Sequence, residues 1–213
     1  MLDFSNSKIL IVGDVMLDKY YFGKVDRISP EAPVPIVNIQ KEESRLGGAS
    51  NVANNIVSLG GHSLLCGVIG HDLFGKEIER ISRHKNIDTF LLKTSSPTIT
   101  KARIIGGKQQ IVRVDYEDKS ELNADNKKLF RDTISRILPE YDILVISDYG
   151  KGLISEDLCR YLIKLAHKYD KKVIIDPKGK NWEKYSGADI VTPNVKELSD
   201  IVGYTVPNTA RAL

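Results

Sequence analysis

Apolar positions along the chain follow two alternating rhythms. Unbroken runs rich in Ile, Val and Leu occur at Lys8 to Val12, Leu64 to Ile69, Asp142 to Ser147, Lys172 to Ile175 and Asp189 to Val191. Their length and branching suit strands buried on both faces. Between them, apolar residues recur at helical spacing: Ala49, Val52, Ala53, Ile56 and Leu59, then Phe74, Ile78 and Ile81. The rhythm returns at Leu129, Phe130, Ile134, Ile137 and Leu138, and again at Leu158, Leu162, Leu165 and Ala166. Gly60-Gly61 and Pro139 stop two of these helices, Ser155 caps another, and a last helix is expected after Asn194. Repeated strand and helix predict an α/β fold whose mostly parallel central sheet is covered on both faces.

Two stretches break the rhythm. Tyr20 to Gln40 carries Pro30, Pro33 and Pro35, which cannot all donate into a central sheet, so edge strand and loop are expected there. Ile99 to Tyr116 reads as a hairpin with Gly106-Gly107 supplying positive φ in a two-residue turn, which sets Lys101, Arg103, Lys108 and Gln110 on one face. Such a face suits a sugar phosphate, although a solvated ribbon carries the same residues. The two excursions, about 22–40 and 90–116, are expected to pair as a small β lid.

The chemistry centres on Gly47-Gly48, which run directly into a helix bearing Asn51 and Asn55 on one face. Glycines admit close approach of a ligand and the helix mouth offers free N–H groups, so the stretch reads as a substrate cradle; a tight loop built for helix packing is the alternative. Asp14 and Asp18 lie near the carboxyl end of the first strand, where open α/β sheets bind ligands. Asp14 is assigned as an acceptor for a substrate hydroxyl, with a turn aspartate as the competing role. Further post-strand loops carry Asp148 with Lys151, Asp176 with Lys178, and Asn194 with Glu197. Four such loops at one sheet edge point to a polyhydroxylated, phosphorylated ligand. His71 is expected in a surface loop, and the lysines of 164–184 on a solvated face.

Composition narrows the field. The 31 basic and 28 acidic residues leave a net charge of only +3, too little to argue for nucleic acid. Two cysteines, Cys66 and Cys159, have no metal-ligand spacing and read as free thiols of a reducing cytoplasm. No apolar run can span a bilayer and the Met1 to Phe4 start is not that of a signal peptide, so a cytoplasmic protein is expected. A nucleophilic triad, zinc spacing, a Walker A pattern and the three-glycine dinucleotide fingerprint are all missing from the sequence.

Gly13-Asp14, Gly47-Gly48 with Asn51, Gly70-x-Asp72-x-x-Gly75 and Asn194-x-x-Glu197 occur in an order that resembles the ribokinase-like, or phosphofructokinase B type, sugar kinases. Arg27 to Pro35, Gln109-Gln110, Ser147 to Gly152 and Asp176 to Gly179 resemble, more narrowly, the D-glycero-β-D-manno-heptose-7-phosphate kinases, often the kinase half of a bifunctional ADP-heptose synthase. The resemblance implies a ribokinase-like three-layer sandwich over 1–213 with its C-terminal part missing. It implies heptose binding by Asp14, Gly47, Gly48 and Asn51; Arg103 and Gln110 of the hairpin face and Asp148 and Lys151 of the post-strand loop are expected as further substrate contacts. It assigns Lys178, Asn194, Val195, Lys196 and Glu197 to ATP, Glu197 also to Mg2+ indirectly, and a homodimer through the lid. ATP would phosphorylate the anomeric hydroxyl of heptose 7-phosphate on the way to ADP-heptose and lipopolysaccharide core. The family's catalytic aspartate sits in a late Gly-Ala-Gly-Asp motif that does not occur in residues 1–213, so no catalytic residue is assigned here and that aspartate is expected beyond Leu213. The chain is therefore expected to be an N-terminal fragment, inactive by itself. Another sugar kinase of the same fold and a non-catalytic sugar-phosphate binding module are the alternatives.

Overall fold

A computed structural model describes residues 3–206. Met1, Leu2 and residues 207–213, part of the expected domain 1–213, lie outside the described residues. Leu213, beyond which the catalytic aspartate is expected, is among them, so that expectation also falls outside the described residues. The apolar runs become a six-stranded, fully parallel sheet in the order β10-β9-β8-β1-β4-β5. Its strands are β1 (Lys8–Gly13), β4 (His62–Gly70), β5 (Asp88–Thr94), β8 (Ile143–Ser147), β9 (Lys172–Asp176) and β10 (Ile190–Val191). Successive strands are added on one side of β1 and then on the other, which leaves the crevice between the carboxyl ends of β1 and β8 as the topological switch point.

The helices segregate accordingly. Ile9, Ile11, Leu65 and Ile69 pack with Ala49 and Ala53 of α1 (Ala49–Ser58) and Ile78 and Ile81 of α2 (Leu73–His84). On the other face, Leu10, Val12, Leu144 and Ile146 meet Phe130 and Ile134 of α3 (Ala124–Ile137) and Leu158, Leu162 and Ala166 of α4 (Glu156–Lys168). A last helix, α5, spans Val195–Val202. Leu59 and Leu129, expected on the inward stripes, are exposed: Leu59 sits past the last residue of α1, and Leu129 falls beside the buried arc of α3. Cys66 and Cys159 are free and buried; burial raises both thiols, Cys159 to about 12, so neither is a ready nucleophile.

The second sheet has the order β3-β2-β6-β7, with β2 (Val15–Ile28), β3 (Pro35–Gly48), β6 (Thr100–Gly106) and β7 (Gln109–Tyr116). It begins earlier and ends later than the expected excursion 22–40. The excursion 90–116 is corrected too, because Phe90 to Thr94 belong to β5 of the main sheet. Pro35 opens an edge strand, where its missing N–H is harmless, while Pro30 and Pro33 stay in the loop. The β6–β7 turn is Gly107-Lys108 rather than Gly106-Gly107: only Gly107 has positive φ, at 63°. Lys108 therefore occupies the turn, while Gln110 pairs with Ile105 near the tip.

Local capping follows the sequence closely. The Ser155 hydroxyl accepts from the Leu158 amide at 3.3 Å at the start of α4. Ser155→Ala should cost about 1 kcal/mol, read as a lower urea midpoint at unchanged slope. Asp72 caps α2 through Gly75 N at 2.8 Å and also holds Thr98, through its amide and hydroxyl at 2.7 Å each. Burial pushes the Asp72 carboxyl up, but the hydrogen bonds from Thr98 and Gly75 outweigh it and the net value falls below the ordinary range. The resulting stability is full above the unfolded carboxylate value and is lost as pH falls through the lower folded one. Urea titrations of the wild type and Asp72→Asn should differ most near neutrality and converge at acid pH.

Candidate active site

The cradle forms where the lid sheet meets α1. Gly48, at φ 54° and ψ −137°, turns β3 into α1, and the Ala49 amide donates to the Asp14 carbonyl at 3.0 Å. A Cβ on Gly48 would stand 2.4 Å from that carbonyl oxygen, and one on Gly47 would stand 2.5 Å from Asp18 Oδ2. Glycine is required at Gly48 by the backbone carbonyl and by the backbone angle, whereas a side chain at position 47 would have to displace the Asp18 carboxylate from the cradle. Asn51 and Asn54 of α1 face the same hollow, as do Met16, Asp18, Lys101, Arg103 and Tyr149.

Strand alternation explains which lid residues line it. In β2, Val15 and Leu17 enter the core, whereas Met16 and Asp18 point to the cradle. Parallel pairing puts Lys101 beside Asp18, and Arg103 Nη1 donates to Asp18 Oδ1 at 2.6 Å. Arg45 and Arg103 both lie over the Tyr20 ring, which holds their guanidinium groups along this face. Burial lowers the Lys101 ammonium, and the neighbouring Lys151 lowers it further. A partly desolvated ammonium at the cradle wall is an environment that an anion such as a phosphate would relieve.

The expected substrate residues divide. Gly47, Gly48, Asn51 and Arg103 come together at the cradle. Asp14 does not join them: it is 2% exposed, and its Oδ2 accepts from the amides of Tyr149 at 2.8 Å and Lys151 at 3.1 Å. Burial raises its carboxyl, against the pull of those two amides. Asp18 takes the position sequence reasoning gave to Asp14. Asp148, also expected to touch substrate, turns inward instead: its oxygens hold Gly150 N at 2.7 Å, Tyr185 Oη at 2.7 Å and Lys184 Nζ at 2.5 Å. The Lys151 ammonium is bound to Glu117, and Gln110 is exposed and absent from the cradle lining.

A second polar cluster sits at the ends of β9 and β10. The Asn194 side chain accepts from Glu197 N at 2.9 Å and the Glu197 carboxylate from Asn194 N at 3.0 Å, a reciprocal capping box on α5. Lys178 Nζ meets Glu197 Oε1 at 2.9 Å, which raises the ammonium. Burial of Glu197 is outweighed by Lys178 and Asn194, so that carboxyl is lowered; Asp176 is raised by burial and then by Glu197. Val195 and Lys196 occupy the exposed first turn of α5. Two neighbouring carboxylates with a single lysine are a donor set suited to a cation carrying phosphates. No group of three or more His, Cys, Asp or Glu side chains among the described residues forms a closed metal site by itself. Tyr149 connects the two clusters: it lines the cradle, and its raised phenol, shifted first by burial, also feels Asp176, Lys178 and Asp18.

A parallel sheet with a β lid, a glycine cradle at the switch point and a lysine–carboxylate cluster beside it define a sugar kinase architecture. The chain belongs to the pfkB family of carbohydrate kinases, whose profile matches residues 6–213. It is 48% identical over 193 residues to the bifunctional protein HldE of Helicobacter pylori strain P12, covering 90% of this chain and 42% of that one. It is 44% identical over 200 residues to the D-beta-D-heptose 7-phosphate kinase of Bordetella bronchiseptica, covering 93% of this chain and 63% of that protein. The chain thus spans less than half the length of the bifunctional relative. The fold is the ribokinase-like one: phosphofructokinase-2 of Escherichia coli superposes with TM-score 0.72 at 20% identity, covering 97% of this chain and 67% of that one. Ribokinase of Giardia lamblia gives 0.69 at 19% identity, with the same coverage of 97% and 67%. No helix among the described residues is long and apolar enough to cross a membrane.

Proposed function

We propose that the chain is the sugar-binding part of a kinase that phosphorylates D-glycero-β-D-manno-heptose 7-phosphate at its anomeric hydroxyl, using ATP and Mg2+. The observation that carries this reading is the cradle, where a carboxylate, an amide and two glycines meet Lys101 and Arg103. Carboxylate and amide suit sugar hydroxyls, while the cations suit the phosphate already on the substrate. The 44% identity to a protein named as a heptose 7-phosphate kinase supports this sugar over other substrates of the fold.

Lys178, Asn194 and Glu197 would hold the nucleotide end, with Glu197 and Asp176 on the magnesium side. ATP supplies the phosphoryl group, and magnesium neutralises charge on its oxygens. Asp18 and Asn51 fix the sugar, Lys101 and Arg103 hold its phosphate, and the lid sheet excludes water from the hollow between them. Residues 1–213 contain no Gly-Ala-Gly-Asp stretch to supply a base for the hydroxyl proton. They should therefore bind heptose 7-phosphate without turning it over.

The test compares native-length protein and residues 1–213 in two assays: calorimetric binding of heptose 7-phosphate, and ADP release with heptose 7-phosphate, fructose 6-phosphate and ribose. Preference for the heptose by the native-length protein supports the proposal, and preference for another sugar replaces it with a different kinase of this fold. Turnover by residues 1–213 alone would overturn the inactivity. Val25, Ile28, Val34, Val112 and Val114 leave apolar surface exposed on the lid, which supports a homodimer through that sheet, measurable by analytical ultracentrifugation. The reading places the protein in the cytoplasm.

A further inference from the structure

A second cavity, of about 220 Å3, lies at the root of the lid and shares no lining residue with the cradle. Three of the chain segments that join lid to core enclose it: the β1–β2 junction at Asp14, the β5–β6 connection 95–99 and the β7–α3 connection 117–123. Two residues on its wall have polar atoms that are buried and have no hydrogen-bond partner among the described residues, Asp14 Oδ1 and Thr94 Oγ1. Each such atom costs about 1–3 kcal/mol unless a donor reaches it.

Charge gives the ligand its sign. Asp118, on the same wall, is held by the hydroxyls of Ser96 and Ser120 and not by a cation. The Lys151 ammonium, the one lysine on the described wall, is already bound to Glu117. Of the three carboxylates on the wall, Glu121 is bound to Lys127, which leaves Asp14 and Asp118 without a cation among the described residues of the wall, while Ile99 and Leu122 supply an apolar side for methylene groups. The volume is that of a molecule with a handful of heavy atoms, since a cavity of about 150 Å3 already admits benzene.

We propose that this hinge cavity binds a compact protonated amino alcohol or primary amine, whose ammonium and hydroxyl donate to Asp14 Oδ1 and Thr94 Oγ1. Occupancy is transmitted to the cradle through Asp14 itself. The other oxygen of Asp14 fixes the amides of Tyr149 and Lys151, and Tyr149 is part of the cradle wall. A ligand that locks the three hinge segments also limits where the lid sheet can sit.

The experiment is a 1H–15N NMR titration of the native-length protein with ethanolamine, with glycerol as the neutral probe and acetate as the anionic one. Ethanolamine is expected to shift the Tyr149 and Lys151 amides and those of the hinge segments saturably, and more strongly than either control. Thr94→Val, which removes the hydroxyl at constant shape, should weaken that binding about tenfold. Ile99→Trp, which fills the cavity, should abolish it. No saturable shift, or equal shifts from all three probes that survive both variants in otherwise native spectra, would overturn the proposal. The resonances report binding without turnover, so the result stands apart from the identity of the phosphorylated sugar.

Discussion

Asp18→Asn should lower kcat/KM for heptose 7-phosphate in the native-length protein by roughly 10- to 150-fold, the equivalent of about 1.5–3 kcal/mol for hydrogen bonds to a charged group. The substitution keeps size and shape and removes the charge that accepts from Arg103 and that we propose accepts from a sugar hydroxyl. Because Arg103 Nη1 lies 2.6 Å from Asp18 Oδ1, its guanidinium would lose its anchor along with the sugar. The loss should therefore appear in both KM and kcat. Asp14→Asn is the informative contrast: its carboxylate holds the Tyr149 and Lys151 amides, so its main cost should be in stability. An Asp18 variant with wild-type kinetics, beside an inactive but folded Asp14 variant, would reverse the assignment of the two aspartates.

Asp148→Ala should destabilise the protein by about 3–5 kcal/mol, the range for a buried ion pair broken on one side. Asp148 is 2% exposed and binds Lys184, Tyr185 and an amide at once, so truncation strands an ammonium and a phenol in the α4 core. For a chain of this size the melting temperature should fall by roughly 6–20 °C, measurable by calorimetry. Replacing both partners, as Asp148→Asn with Lys184→Met, should recover much of the loss, because no uncompensated charge remains. The single variant should also loosen the nucleotide end. Tyr185 Oη donates its one proton to Asp148 and accepts from the Lys178 amide at 2.9 Å, linking the Asp148 network to the lysine that meets Glu197.

The two aspartates also show where sequence reading reaches its limit. Buried parallel strands and their helices were legible because their periodicity is set by burial on both faces, and Ser155 and Pro139 marked boundaries that hold. The post-strand loops were legible as a group, since the sheet topology gathers all of them at one edge. Their individual orientations were not. Gly13-Asp14 looked like a strand end feeding a ligand loop, yet the chain stays extended into β2. The alternation of Val15 and Leu17 with Met16 and Asp18 then selects the later aspartate. That alternation is in the sequence, but it becomes a signal only once β2 is known to start at Val15. Asp148 offered no comparable clue, because its partners Lys184 and Tyr185 lie 36 and 37 positions away. The lysines of 164–184 were read as one solvated face, and Lys184 is the exception that the α4 core absorbs.

The lid sheet also sets an order of assembly. Its inner pair, β2 and β6, is parallel, matching Leu17 with Thr100 and Gly23 with Gly106. No hairpin can close such a pair, so β4, α2 and β5 must first cross the core and return the chain to the lid. Pairing so distant in sequence carries a large loop-closure cost, which only a core already in place can offset. The β2–β3 ribbon therefore waits, half of the cradle already on it, until β6 arrives with Lys101 and Arg103. Affinity for the sugar should be among the last properties a refolding molecule acquires, later than the helical signal of the core.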